Sequence, residues 1–386
     1  MATYHVTSAG AGLRDGSSLA NAYSWANFVT AINAATAGGD DWYVYGSVPL
    51  TTLQTISCAA PGNAPHRIIG ATATPGDWDN GYLSTGWLDT TEFGILAFTT
   101  TSGRLAITGT NLHWFGFNIT GECTSNAVVN ISGQGSRMHR SKITNSSTGS
   151  NAACVNLGHV TAKFIGCDFL QTGASGGNPC ATWTTASNYM NCRAKSTSGP
   201  GWLSTYGFGE VNATHCAAIE CGTHGFFHNT TAAGGHMSLN NVSAIGCVEN
   251  GVDIVSSATG VVSIQRSEFT DNGGFGIDAN TVSTVAIHLS GNRYRDNAGG
   301  NLNIGARAAA VEYGAITTDT GGQETDFSDA ANDDYRHVYN SPAVEDNARG
   351  QISGASGLDP DTVPAGAGGG GARRVPIFIP VGGQSK

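Results

Sequence analysis

The stretch FIGCDFL at 164–170 returns as YMNCRAK at 189–195, ATHCAAI at 213–219, LNNVSAI at 239–245 and IQRSEFT at 264–270. Each copy opens on an apolar residue and carries another five positions later. Working outward, MHRSKIT at 138–144 precedes the series, LSGNRYR at 289–295 follows it, and LHWFGF at 112–117 supplies a first member. Two apolar columns result. One is Leu112, Met138, Phe164, Tyr189, Ala213, Leu239, Ile264 and Leu289; the other is Phe117, Ile143, Phe169, Ala194, Ala218, Ala244, Phe269 and Tyr294. A period of about 25 residues fits neither a heptad nor a hairpin and suits one turn of a solenoid.

The odd offset between the columns implies a bend, because residues five apart on one straight strand point to opposite faces. Each turn therefore reads as strand, bend, strand, loop and third strand. The third strand is expected at Ala127–Ile131, Ala153–Leu157, 251–254 and 275–277. One position before the second column stands Gly116, Lys142, Asp168, Arg193, Ala217, Ser243, Glu268 and Arg293, which is expected to face solvent. Its charges alternate in sign where turns lie about 4.8 Å apart and like charges would repel.

Composition agrees. The 386 residues include 55 Gly with only 18 Lys plus Arg against 28 Asp plus Glu, a net charge of −10. That balance excludes a helical domain and gives no basic footprint for nucleic acid. No run of 18 apolar residues argues for a membrane span, and the opening MATYHVTSAGAG has no basic start before an apolar run, so export by a signal peptide is not expected. Of nine cysteines, Cys167, Cys192 and Cys216 share one inward column and Cys154 and Cys180 another, so they are expected as reduced core residues.

Ahead of the repeats, Trp25, Phe28, Val29 and Ile32 follow helical spacing after Ser18 or Ser24, which predicts a capping helix within 18–36. The chain then divides into a cap at 1–60 with the first strand, coils at 61–305, a closing segment at 306–350, and a linker and arm at 351–386. In the last of these, GLDPDTVPAGAGGGGA leads to RRVPIFIP, where Arg373, Arg374, Val375, Pro376, Ile377 and Phe378 suit addition to a partner's sheet edge. The alternative is an arm folded back on its own coil.

Three segments carry a family resemblance: YHVTSAGAGLRDGSSLANAYSW near the start, then AINAATAGGDDWYVYG, then HRIIG. Together with DDYRHVYNSPAVEDNARG near 333–350, they resemble right-handed parallel β-helix proteins of the pectate-lyase-like class over about residues 3 to 345. The resemblance implies an all-β fold, a right-handed single-stranded parallel β-helix with an N-terminal capping helix and an extended C-terminal arm. It specifies activity poorly, since the class holds lyases, hydrolases, adhesins and phage spikes.

Candidate sites are few. Asp271 and Asp296, each followed by Asn, stand in adjacent turns and are weak catalytic candidates, with polar corner ladders as the competing reading. CGTHG at 221–225 resembles the GHG of polygalacturonases, but that family's NTD and DD are absent from the matching turns, so His224 reads as a loop histidine. RSK at 140–142 matches the family's RIK only in charge. Trp183, Trp202, Tyr206 and Phe208 are candidates for stacking on a glycan, although the same spacing would also put Trp183 and Trp202 in the core. His113 and His139 read as neighbours at a corner; no metal site and no cofactor are expected.

With no assembled catalytic set in view, the favoured function is a noncatalytic structural protein on the outer surface of a tailed-phage virion. It would be a capsid decoration, head spike or tail spike, guessed from the resemblance to be a homotrimer and joined to capsid or tail components through the arm. Host polysaccharide is a possible ligand; nucleic acid and membrane are not. A polysaccharide lyase or glycoside hydrolase is the first alternative, and a glycan-binding adhesin module the second.

Overall fold

The computed structural model describes residues 2–72, 88, 90–149, 152–173, 177–183, 188–205, 209–229, 235–255, 260–279, 285–304, 310–313, 317–319, 327–329 and 334–337. Three parallel sheets of 13, 11 and 10 strands run along the molecule. Successive rungs contribute one strand to each, so the chain is a right-handed parallel β-helix with its core between the sheets. The expected third strands lie in the ten-stranded sheet, at Ala127–Ile131, Ala153–Leu157, Val252–Ile254 and Phe275–Asp278.

The bend between the first two strands is a stack of left-handed residues. Gly116, Arg140, Gly166, Asn191, His215, Asn241, Arg266 and Gly291 have φ between 44° and 65°. From Arg140 to Arg266 the backbone N–H of each donates to a carbonyl of the following rung, as Asn191 does to Thr214 at 2.9 Å. Stacking these bends fixes the register and corrects the first repeat. Trp114, not Leu112, pairs with Met138, and Ile119, not Phe117, pairs with Ile143. The stretch has apolar residues at 112, 114, 117 and 119, so hydrophobicity alone admits either alignment; the bend at Gly116 admits one. His139 is accordingly opposite Phe115, and His113 opposite Arg137.

Inside, like side chains pile up as parallel stacking demands. Phe164 stacks on Tyr189 with centroids 5.5 Å apart, Trp202 on Phe226 at 5.8 Å and Phe269 on Tyr294 at 5.7 Å. All nine cysteines are free and buried.

The column expected to face solvent is largely covered. Asp168, Ala217, Ser243, Glu268 and Arg293 are at most 2% exposed, while Lys142 and Arg193 stay half-buried. Asp168 accepts the Leu88 N–H from a segment 80 residues earlier, and the Arg193 guanidinium grips its carboxylate in a fork at 2.9 and 2.8 Å. The alternating signs thus serve ion pairs beneath a covered face, where an unpaired charge would be costly.

At the N-terminal end, Thr3–Thr7 already forms a rung beside Asp41–Tyr45, so the coil starts before the helix. The helix is Trp25–Ala34, shorter than 18–36. Ser24 caps it by accepting the Asn27 N–H, and Trp25, Phe28 and Ile32 turn into the core. Near the other end, Asp334–His337 pairs antiparallel with Phe327–Asp329. The arm at 351–386 lies outside the described residues, as do Tyr206 and Phe208.

Candidate functional site

The site begins with a column of glycines at the entrance to the ten-stranded sheet. Gly201, Gly225, Gly251 and Gly276 precede in-register residues, and a Cβ on Gly225 would come within 2.6 Å of the Gly251 carbonyl oxygen and of Ala244 Cβ. Bare backbone here lets successive loops descend on the sheet at close quarters. The Gly225 N–H donates to the Asn250 carbonyl at 3.0 Å, which sets CGTHG directly beneath the next rung's Glu249 and Asn250.

That stacking gathers groups far apart in sequence. His224 Nε2 lies 3.0 Å from Glu249 Oε2 and 3.2 Å from Asp253 Oδ2. Asp253 is on the strand Val252–Ile254, in register with Asp278 one rung further on. The Asn250 N–H donates to His224 Nδ1 at 3.4 Å, which leaves the ring proton on Nε2, directed at the two carboxyl groups. Asn250 is itself held, its Oδ1 accepting the Phe275 N–H at 2.8 Å and its amide donating to Asp278 Oδ2 at 3.4 Å. Phe227 closes one side, its ring 4.9 Å from that of His224.

The electrostatics follow from this crowding. Burial, followed by the carboxylates of Asp278 and Glu249, pushes the Asp253 carboxyl up from 3.8 to about 7. Burial pulls the His224 imidazole down, opposed by Glu249 and Asp278. The Asp253 side chain is 12% exposed and that of Glu249 52%. One acid therefore holds its proton near neutrality beside a second, solvent-facing carboxylate, the pairing used in general acid–base chemistry.

An outward column leads to the cluster. Asn130, Asn156, Thr182, Leu203, Phe227, Asp253, Asp278 and Asn303 stand in register on consecutive strands. It passes from amides and a hydroxyl through two apolar side chains to two carboxylates, with neither Lys nor Arg. Among the described residues no set of three or more His, Cys, Asp or Glu is arranged to hold a metal ion.

The residues singled out in the sequence lie elsewhere. Trp183 and Trp202 are 0% exposed, so neither can receive a sugar; their strands turn these rings inward, where they lie 5.8 Å apart. Asp271 and Asp296 occupy exposed left-handed corners with φ of 58° and 48°. The Asn after each turns inward, and Asn272 Nδ2 donates to Asn297 Oδ1 at 2.8 Å in a polar ladder. His224 was visible in CGTHG, but Glu249 and Asp253 were missed. The signal that would have found them was the period itself, which carries His224 to Asn250 one turn on.

No family model and no curated protein matches this chain. Among solved structures, the pectate lyase Pel9A superposes with a TM-score of 0.63 at 15% identity, covering 89% of this chain and 90% of that one. A rhamnogalacturonan lyase superposes with a TM-score of 0.58 at 14% identity, covering 92% and 100%. At such identities the likeness is one of fold, and the chain has the right-handed parallel β-helix architecture of the pectate-lyase type.

Proposed function

We propose that the chain cleaves glycosidic bonds by hydrolysis, with Asp253 as general acid, Glu249 as nucleophile and His224 as the residue that positions both. The supporting observation is the placing of two carboxyl groups on one imidazole nitrogen, at 3.0 and 3.2 Å, on the outward column of the ten-stranded sheet. Asp253 gives its proton to the glycosidic oxygen as the bond to the anomeric carbon breaks. Glu249 attacks that carbon from the other face, because two carboxyl groups held on one nitrogen leave no room for a water between them; Asp253 then takes a proton from the water that releases the sugar from Glu249, which restores both groups. Phe227 and Leu203 offer an apolar floor for sugar rings. The column carries no cation to neutralise a uronate, so an uncharged glycan suits it better than the acidic polymer that β-elimination requires.

Incubating the protein with a panel of neutral polysaccharides and assaying reducing ends tests this reading. Asp253→Asn is expected to lower kcat/KM at least 100-fold with the fold intact. Wild-type inactivity across the panel, or an unimpaired variant, would remove it.

A second proposal concerns location and is independent of the cluster. A virion-borne domain, mounted through Arg373–Phe378, is supported by the composition of that arm, an apolar run between prolines behind two arginines. Replacing Ile377 and Phe378 by Asp should abolish incorporation into particles while leaving the coil folded; unchanged incorporation would end the proposal.

A further inference from the structure

The buried cysteines stack on one another along the coil. The register that pairs Lys142 with Asp168, Asp168 with Arg193 and Arg193 with Ala217 sets the residues just before them, Ser141, Cys167, Cys192 and Cys216, one above another. Cys154 lies in the same way beside Cys180, to whose carbonyl its N–H donates at 2.9 Å, and Cys221 lies beside Cys247. Thiol meets thiol in each stack: Cys167 and Cys216 both reach Cys192, Cys180 reaches Cys154 and Cys247 reaches Cys221. Of the nine cysteines, Cys58 and Cys123 are the two outside these stacks.

Filling the core does not by itself require sulfur at these places. The column of Cys192 is a ladder in which a side chain accepts a backbone N–H from the rung before. Ser141 accepts from Phe117 at 3.2 Å, Cys192 from Cys167 at 3.5 Å, Ser267 from Val242 at 3.2 Å and Asn292 from Ser267 at 3.0 Å. A hydroxyl or an amide does this better than a thiol, whose sulfur is a weak acceptor. What sulfur adds is its chemistry. Rungs stand about 4.8 Å apart, inside the Cα separation of about 4.4–6.8 Å that a disulfide spans, whereas alternate rungs at about 9.6 Å lie beyond it. Burial opposes ionisation of Cys192, but hydrogen bonds from the Cys167 and Cys216 thiols outweigh it and pull its thiol down, which favours a thiolate between two thiols.

We propose that these stacks are sites of disulfide cross-linking, joining Cys154 to Cys180, Cys221 to Cys247 and Cys192 to one of its two neighbours when the chain meets a small disulfide such as oxidised glutathione. The Cys192 thiolate attacks one sulfur of the oxidant and expels a reduced thiol. The neighbouring thiolate then attacks Cys192 in the mixed disulfide and expels the second. Two protein thiols are oxidised to one disulfide, and the small disulfide is reduced to two thiols that take up the two protons. All nine sulfurs are buried in the finished coil, so the exchange takes place as adjacent rungs open or close. A coil whose turns touch only their neighbours can unwind rung by rung, and each bridge ties one turn to the next. None of this involves His224, Glu249 or Asp253.

Holding the reduced full chain in oxidised and reduced glutathione, at a urea concentration below its unfolding midpoint, tests the assignment. After an acid quench and denaturation, titratable thiols should fall from nine to three, with peptide mapping giving the pairings named above. Unfolding in strong urea should slow at least tenfold and regain its former rate on reduction. Cys192→Ser leaves Cys167 and Cys216 two rungs apart, so it should form two bridges and keep four thiols, whereas Cys216→Ser should still form three bridges. Serine already fills this column at Ser141 and Ser267, so both variants keep the ladder. Nine thiols retained, unfolding no slower after oxidation, a bridge to Cys58 or Cys123, or three bridges in Cys192→Ser would each overturn the proposal.

Discussion

Asp253 shows what burial beside other carboxylates does to a single residue. In the unfolded chain its carboxyl ionises near 3.8, whereas in the fold it keeps its proton to about 7. The contribution it makes to stability is therefore complete below about pH 4 and lost as pH rises through about 7. Asp253→Asn removes the penalty of ionising a buried group. Urea denaturation at pH 8 should find the variant more stable than the parent by about 1–3 kcal/mol, with little difference at pH 4. The proposed cleavage should fall over the same rise in pH, because Asp253 loses the proton that a general acid must give. A variant that is less stable at pH 8 would mean that Asp253 is satisfied as an anion. The sequence showed Asp253 only as a polar residue between Val252 and Ile254; its pKa is set first by burial, then by Asp278 on the next turn and by Glu249 in the loop before its own strand.

At the scale of elements, the bends and ladders rather than the strands carry the register. Asn272 links three rungs: Oδ1 accepts the Cys247 N–H at 3.1 Å, and Nδ2 donates to the Ala244 carbonyl and to Asn297 Oδ1. Asn272→Leu strands these buried groups and is expected to cost about 2–4 kcal/mol in chemical denaturation. Asp271→Gly, at the exposed left-handed corner next to it, should leave stability and cleavage close to the parent's. A loss of cleavage in Asp271→Gly would return catalysis to the corner. The Asp-Asn pair was legible as a motif, and its two competing readings were both written in it. What decided between them was direction: the left-handed corner sends the Asp out and the Asn in, which one chain read in isolation does not display.

For the whole molecule, the three sheets have become three different surfaces. The ten-stranded sheet carries the carboxylates of Asp253 and Asp278, the eleven-stranded sheet is largely covered and internally paired, and the thirteen-stranded sheet aligns Arg67, His113, Arg137 and Lys163. With strands about 4.8 Å apart, 10 to 13 of them give a column about 45 to 60 Å tall, which electron micrographs of the purified chain should show as a stub rather than a fibre. A globular particle with no long axis would contradict the stacking. The coil, its bends and its cysteine columns were legible in the amino-acid order because a repeated pattern of about 25 residues encodes its own neighbour: what recurs must stack. The faces were not legible in the same way. Trp183 and Trp202 satisfy the period whether they point in or out, and His224 meets Glu249 and Asp253 only because one rung lies on the next while the glycine column lets their loops close. Sequence by itself determined the helix of strands, through periodic burial that only stacking can satisfy; tertiary structure decided the site, because its members belong to different turns and their charges acquire meaning only at a distance of about 3 Å.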